Sequence, residues 1–300
     1  DGDGFIDYAY GSYIANRVNV IFGRGQLDAA ASPTAIRSSA ILATQVSEPA
    51  NLFGHGIAPV TDLDDDGVPD IFVGQGEMDS LRGGGHVIFL NVDGSFKGHR
   101  TLYGGFNGFP PTAGVTIRCG ISAGLLGDLD GDSTVGIAVG CDGATGTVMM
   151  LKLLPSGDVS ASHSIKDVAN ASYPHFVAHN SFGLGFSISA IGDLNGDGKH
   201  DMAIGNPAHK EVVIVATNGY NWPTSMYTVA LSHPNAQGGF DLGLIYMYSV
   251  AGVGDVSVPP DGVPDIIIGQ TGTTAAFGGS SRGPIFILYL SEEPAVVLTG

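Results

Sequence analysis

Short apolar runs separated by turn residues dominate the chain. Runs such as Ile71 to Val73, His86 to Leu90 and Thr147 to Leu153 are too short for stable helices. Glycine, aspartate, asparagine and proline border these runs, and this combination predicts β-strands joined by turns. The Ala-rich segment Ala29 to Ala43 is broken by Pro33 and lacks a 3.6-residue stripe, so we expect at most one helical turn there.

The strands recur with a regular period. The first aspartates of four similar acidic loops, at positions 62, 128, 193 and 255, are 66, 65 and 62 residues apart. Four short strands per period are typical of a β-propeller blade. We therefore predict an all-β fold, a β-propeller of four-stranded antiparallel blades with about five repeats. The repeat boundaries are approximately 1–50, 51–112, 113–180, 181–238 and 239–300.

The first repeat opens inside its acidic loop, so we expect it to lack an innermost strand. An open arc of blades would expose two apolar flanks, because each blade buries its faces only against its neighbours. The ring is then part of a larger one, is completed by another molecule, or closes with Ala295 to Leu298 beside the truncated blade.

The acidic loops have the composition of calcium sites. Residues 193–201 read D-x-N-x-D-G-x-x-D, with oxygen ligands at alternate positions and a glycine at the turn, as Ca2+ requires. An EF-hand would continue to a glutamate at position twelve, but Ile204 stands there, so this loop closes on Asp201 and enters a strand. The predicted ligands of the two best loops are Asp62, Asp64, Asp66, the Val68 carbonyl and Asp70, and Asp193, Asn195, Asp197, the Lys199 carbonyl and Asp201.

Three further loops match less well, and solvated acidic turns are the alternative for each. In the third repeat, Ser133 replaces the turn glycine and Gly136 replaces the closing aspartate, so we expect weak or water-assisted binding. In the fifth, Pro259-Pro260 interrupts the ligand spacing. The first repeat keeps only positions 3, 5 and 9. The candidate ligands in these loops are Asp128, Asp130 and Asp132; Asp255, Asp261 and Asp265; and Asp1, Asp3 and Asp7.

Charge excludes some classes of function. The net charge of −17 argues against binding nucleic acid, whose phosphates require Lys and Arg. The five loops hold 17 of the 29 acidic residues, so the charge is concentrated where cations would bind. All apolar runs are far shorter than the roughly 20 residues of a membrane helix, and we predict no membrane span. Nucleophile-elbow, zincin and P-loop motifs do not occur in the sequence, and we predict that the protein is not an enzyme.

The two cysteines lie on either side of the third loop. If the strands around that loop form a hairpin, Cys119 and Cys141 nearly face each other, and either a disulfide or two buried thiols would fit. Asn170-Ala171-Ser172 is an N-glycosylation sequon, which matters only in a secreted protein. Together with calcium-type loops, these features favour an extracellular location.

The motifs together resemble a known family. A Phe-Gly opening, an acidic D-x-[DN]-x-D-G-x-x-D loop, an apolar strand ending in glycine and a strand such as GHVIFL resemble the FG-GAP repeat of integrin alpha-subunit propellers and their bacterial and protist relatives. The resemblance covers essentially the whole chain. It implies cation loops on one rim, usually seven blades, and an extracellular adhesion or ligand-binding module with structural Ca2+. Its partner would be a protein or glycan bound at the rim.

Two alternatives remain. The first is a structural subunit of an extracellular filament or surface coat that self-assembles into polymers through its open flanks. The second is a glycan-binding or glycan-hydrolysing protein, in which aromatics such as Phe106, Phe109, Tyr220 and Trp222 would stack on sugars.

Overall fold

The computed structural model describes residues 5–23, 38–46, 52–111, 117–143, 146–165, 183–207, 211–217, 223–230, 246–271 and 285–290. These residues form eighteen strands in five antiparallel sheets. The predicted all-β fold of four-stranded antiparallel blades is therefore confirmed. In the described part of the chain, no helix is long and apolar enough to cross a membrane.

Each sheet is a meander in which consecutive strands pair, and we call each sheet a blade. The first three blades contain β1 (Tyr8–Ser12), β2 (Arg17–Ile21) and β3 (Ser38–Leu42); β4 (Phe53–Pro59), β5 (Ile71–Gln75), β6 (Gly84–Leu90) and β7 (Phe96–Tyr103); and β8 (Cys119–Gly127), β9 (Val135–Cys141), β10 (Thr147–Leu153) and β11 (Val159–Ser164). The last two contain β12 (Ser187–Gly192), β13 (Asp201–Asn206), β14 (Glu211–Thr217) and β15 (Pro223–Ala230); and β16 (Tyr246–Gly254), β17 (Asp265–Thr271) and β18 (Ile285–Leu288).

Helical structure among the described residues is limited to short turns. A four-residue α-helix, α1, spans Met78–Leu81, and a 3-10 turn spans Ala43–Val46. The Ala-rich segment thus ends in strand β3 and one turn, and its residues 29–37 lie outside the described ranges.

The blades follow one another in chain order. The innermost strands β4, β8, β12 and β16 pack successively against each other. In the first blade, β1 comes after the acidic loop, so it corresponds to the second strand of the other blades, and it packs against β4. The innermost strand expected to be missing is therefore not part of this sheet, and the described residues do not show the ring closing.

The hydrophobic core lies between neighbouring blades. One apolar cluster fills each of the four interfaces, and the cluster between the second and third blades includes Phe72, Phe109, Ile137 and Leu151. Because a central strand has a blade on each side, β5, β9, β13 and β14 are buried along their whole length. This burial explains why these strands read as continuous apolar runs without alternation.

Pairs of glycines bring neighbouring blades into backbone contact. A glycine in or just before the innermost strand of one blade points its carbonyl oxygen at the second-strand glycine of the preceding blade. A Cβ added to Gly74 would lie 1.9 Å from the Gly120 oxygen, and one added to Gly140 would lie 2.0 Å from the Gly185 oxygen. Gly11 meets Gly54 in the same way. Only glycine fits such an approach, which gives the strand-ending glycines and the Gly54 of the Phe53-Gly54 opening a physical cause.

A disulfide joins the two cysteines. Cys119 on β8 and Cys141 on β9 are cross-strand partners, and the bond between them closes a sequence separation of 22 residues. Both side chains are buried in the core between the second and third blades.

Candidate metal loops

The acidic loops connect the first strand to the second in the second to fifth blades. Neighbouring loops touch, because the Lys199 Nζ donates to the Asp128 carbonyl oxygen at 3.3 Å and Gly192 lies against Pro264. The third, fourth and fifth loops therefore lie side by side on one rim.

The first aspartate of each loop is folded into the loop through backbone hydrogen bonds. Its Oδ2 accepts from the N–H five residues later, at 2.7 Å for Asp62 and Asp193 and at 2.8 Å for Asp128. The donor residue has a left-handed φ in each case, including Ser133 at +67°, which takes the conformation normally given to glycine. These carboxylates are thus oriented by the loop and do not splay into solvent.

The closing aspartates of the second, fourth and fifth loops, Asp70, Asp201 and Asp265, act as buried clamps, a role that the ligand pattern did not predict. Their side chains are at most 1% exposed. In each, Oδ2 accepts an N–H from the start of the loop, and Oδ1 accepts one from the end of the third strand. The N–H donors to Oδ2 are Leu63 for Asp70, Leu194 for Asp201 and Val256 for Asp265. The N–H donors to Oδ1 are Leu90 for Asp70, Thr217 for Asp201 and Leu290 for Asp265. The repeated aspartate at the entry of an apolar strand was the signal available.

The second loop gathers the best set of carboxylates. Oxygens of Asp62, Asp64 and Asp70 all lie within 4.8 Å of one another. Burial raises the pKa of Asp70 to about 6 against the lowering effect of its backbone hydrogen bonds, and the negative charges of Asp64 and Asp66 raise it further. A bound divalent cation would remove this mutual repulsion.

A lysine reaches into the same loop. Lys97 on β7 donates to Asp64 Oδ2 at 2.7 Å and also bonds Asp66. The hydrogen bond from Lys97 lowers the pKa of the Asp66 carboxyl. The Lys97 side chain is 35% exposed, so its ammonium group can move into solvent if a metal ion takes its place.

The third loop also gathers three carboxylates. Oxygens of Asp128, Asp130 and Asp132 lie within 4.8 Å of one another. Lys152 donates to Asp130 Oδ2 at 2.5 Å and to Asp132 Oδ2 at 2.6 Å. The Lys152 bond is the main cause of the lowered pKa of Asp132, followed by hydrogen bonds from Thr134.

The fourth loop is held by hydrogen bonds among its own candidate ligands, one of which is the amide of Asn195. The Asp197 N–H donates to Asp193 Oδ1 and Asn195 Oδ1, both at 3.0 Å, and the Lys199 N–H donates to Asp197 Oδ1 at 2.9 Å. Its carboxylates are not within the 4.8 Å mutual distance that the second and third loops reach. Burial raises the pKa of Asp201 to about 6, with the Asp197 and Asp193 charges adding to it.

The remaining candidate ligands are not gathered into one set. Asp255 Oδ2 accepts from Gly262 at 2.6 Å, two positions later than in the other loops because of the inserted residues, and Asp261 Oδ1 accepts from Val263 at 3.0 Å. Asp7 accepts from the Gly23 N–H, which identifies it as the closing aspartate of the first blade. Asp1, Asp3 and the sequon asparagine Asn170 lie outside the described residues.

Two of the four candidate sugar-stacking aromatics have defined environments. Phe109 is buried in the core between the second and third blades, which excludes a surface role for it in the folded protein. Phe106 is half exposed and stacks on Tyr103. Tyr220 and Trp222 lie outside the described ranges.

Meandering blades packed side by side, with acidic loops on one rim, define a β-propeller type of protein. Residues 185–221 match the family model described as FG-GAP repeat, so this part of the chain is an FG-GAP repeat. The resemblance drawn from the sequence is confirmed. No curated protein matches the chain.

Several solved structures are similar in fold. The structure of BBS1N in complex with ARL6DN shares 11% identity at a TM-score of 0.40, and the match covers 88% of this chain and 60% of that chain. The Dos1 propeller shares 11% identity at a TM-score of 0.46, with 97% of this chain covering 55% of it. A protein of unknown function from Bacteroides caccae shares 14% identity at a TM-score of 0.39, with coverage of 92% and 70%. The chain thus spans less than two thirds of the first two.

Proposed function

We propose that this protein is an extracellular calcium-binding β-propeller that acts as an adhesion or ligand-binding module. The observation that carries the proposal is the second loop, where Asp62, Asp64 and Asp70 gather carboxylate oxygens within 4.8 Å. Oxygen ligands in a short loop suit Ca2+. The ion is structural, because it holds the turn between the first two strands of a blade, and its binding free energy adds to the folding free energy.

The partner in this proposal is a protein or glycan at the rim. The loops are the least regular and most polar part of each blade, and propellers place variable binding residues on such connections. A binding role is favoured over a catalytic one because the loop carboxylates already accept backbone hydrogen bonds. The Cys119–Cys141 disulfide supports an extracellular location, since disulfides persist in oxidising compartments.

Calcium removal tests the structural role of the ion. We expect EDTA to lower the melting temperature by several degrees and Ca2+ to restore it, because a ligand at 100 times its Kd stabilises a fold by about 2.7 kcal/mol. Asp64→Asn should lose most of the second-loop contribution in a calorimetric or fluorescence melt. The matched control is Asp65→Asn, which removes the same charge from the same loop at a position outside the gathered set.

The pH provides an internal check on this result. Asp70, with a pKa raised to about 6, must release its proton to bind Ca2+, so the calcium-induced shift should shrink as the pH falls from 7 to 5. Burial lowers the pKa of His86 to about 3, so the stability contributed by this neutral histidine is lost as the pH falls below 6.5. That effect cancels when melts with and without calcium are compared. A shift that is independent of pH, or equal in both loop variants, would contradict the proposal.

A second candidate function, the self-assembling filament subunit, is favoured by exposed apolar residues on the first and fifth blades. On the first blade, the sheet ends at β1 among the described residues, and Ile6 and Tyr8 are 75% and 62% exposed. At the other end, Ile285 and Ile287 on β18 are 72% and 40% exposed. Two different apolar ends can join head to tail, a contact that generates open polymers.

A charge on the edge strand tests this candidate. We expect the wild type to form concentration-dependent polymers in sedimentation velocity and negative-stain images, and Tyr8→Lys to abolish them by placing a cation on the exposed edge. Val92→Lys is the control, because Val92 is 58% exposed in the turn between β6 and β7 of the second blade, which carries neither of these surfaces. A wild type that stays monomeric at high concentration would rule the filament out.

A further inference from the structure

The third loop differs from the others at two positions that face each other. Gly136 stands where the closing aspartate is found in the other blades, and Lys152 on β10 is its cross-strand partner. In the second, fourth and fifth blades, the nearest cross-strand pairs to the closing aspartate are Ile71–Ile88, Met202–Val215 and Ile266–Leu288. The residues equivalent to Lys152 are therefore the ones after Ile88, Val215 and Leu288. They are Phe89, Ala216 and Tyr289, none of which carries a positive charge.

The lysine bonds the loop that lacks the closing carboxylate. Its Nζ lies 2.5 Å from Asp130 Oδ2 and 2.6 Å from Asp132 Oδ2, two of the three carboxylates that the loop gathers. The side chain is 13% exposed, so most of its length is covered. A covered ammonium that contacts two carboxylates neutralises them without a metal ion.

Lys97 in the second loop is the informative contrast. It comes from the outer strand β7 and is 35% exposed, and its loop retains the closing aspartate Asp70. A metal can therefore replace Lys97 and keep three gathered carboxylates that include a buried one. The third loop has lost that ligand and gained a cation at the same point.

We propose that the Lys152 ammonium is the resident cation of the third loop and takes the place that Ca2+ holds in the second. The third loop then folds without calcium, although its aspartates match the calcium pattern. The inference rests on the proposed function for the comparison with the second loop. It reverses the expectation that Asp128, Asp130 and Asp132 form a weak metal site.

Replacing the lysine tests the proposal. Lys152→Met keeps an unbranched apolar side chain and removes the charge, and Lys152→Arg keeps the charge. In EDTA, we expect Lys152→Met to melt several degrees below the wild type, because three gathered carboxylates lose their counter-ion, and Lys152→Arg to melt close to it. Titration calorimetry with CaCl2 should show one more ion bound per chain by Lys152→Met than by the wild type.

The outcomes separate this inference from the proposed function. An unchanged melting temperature of Lys152→Met in EDTA, or an unchanged number of bound ions, would overturn it. A wild type that loses one bound ion on Asp130→Asn would also overturn it, because the third loop would then hold calcium beside its lysine. Failure of the proposed function would appear differently: the wild type would bind no calcium ion that Asp64→Asn removes. The melts of the Lys152 variants in EDTA contain no bound metal, so they test the lysine independently of that result.

Discussion

Gly74→Ala is expected to lower the free energy of unfolding by about 3 kcal/mol, at the upper end of the usual cost of overpacking a closely packed site. The added Cβ would lie 1.9 Å from the Gly120 carbonyl oxygen, which is backbone and cannot rotate away. Relief requires the second and third blades to separate, and the apolar cluster between them would loosen. Urea unfolding followed by fluorescence measures the loss.

A matched substitution on the same blade isolates the contact between blades. Gly98 lies on β7, and a Cβ added there would meet only a Phe89 ring atom at 3.9 Å. Gly98→Ala should therefore change stability by less than about 0.5 kcal/mol. Gly140→Ala repeats the test at the next interface, where the Gly185 oxygen would lie 2.0 Å from the new Cβ. Equal stabilities for Gly74→Ala and Gly98→Ala would show that the blades do not pack through these glycines.

The features predictable from sequence are those that depend on local order along the chain. The 62 to 66 residue period, the strand positions and the cation-type loops all follow from residues a few positions apart. Strands β6 and β10, for example, begin or end within two residues of the apolar runs that predicted them. The position of Asp7 in the loop pattern likewise predicted that β1 corresponds to the second strand of the other blades.

The features that escaped prediction depend on the register between strands or between blades. The clamp formed by Asp70 joins the start of its loop to Leu90, 20 residues away. Lys152 and Lys97 reach loops 20 and more residues upstream, and nothing in their local sequence marks them as counter-ions. The third loop gathers three carboxylates although it lacks a closing aspartate, because ligand type is local and ligand spacing depends on the folded backbone.

Reduction of the Cys119–Cys141 disulfide is expected to lower the free energy of unfolding by about 3 kcal/mol. The bond closes a loop of 22 residues that contains the third acidic loop, and a cross-link of this length reduces the entropy of the unfolded chain by that amount. Dithiothreitol should move the urea midpoint of the wild type downward. The double variant Cys119→Ala and Cys141→Ala should unfold at low urea concentration and should not respond to the reductant.

The position of the disulfide makes its effect depend on the glycine contact. Cys119 precedes Gly120, whose carbonyl oxygen approaches Gly74, so the bond fixes the part of β8 on which the second blade packs. Adjacent groups that share one contact are not additive. Reducing the disulfide in Gly74→Ala should therefore cost less than about 3 kcal/mol, because the blades have already separated at that point. The full cost in both backgrounds would show that the disulfide stabilises only its own hairpin and contributes nothing to packing between blades.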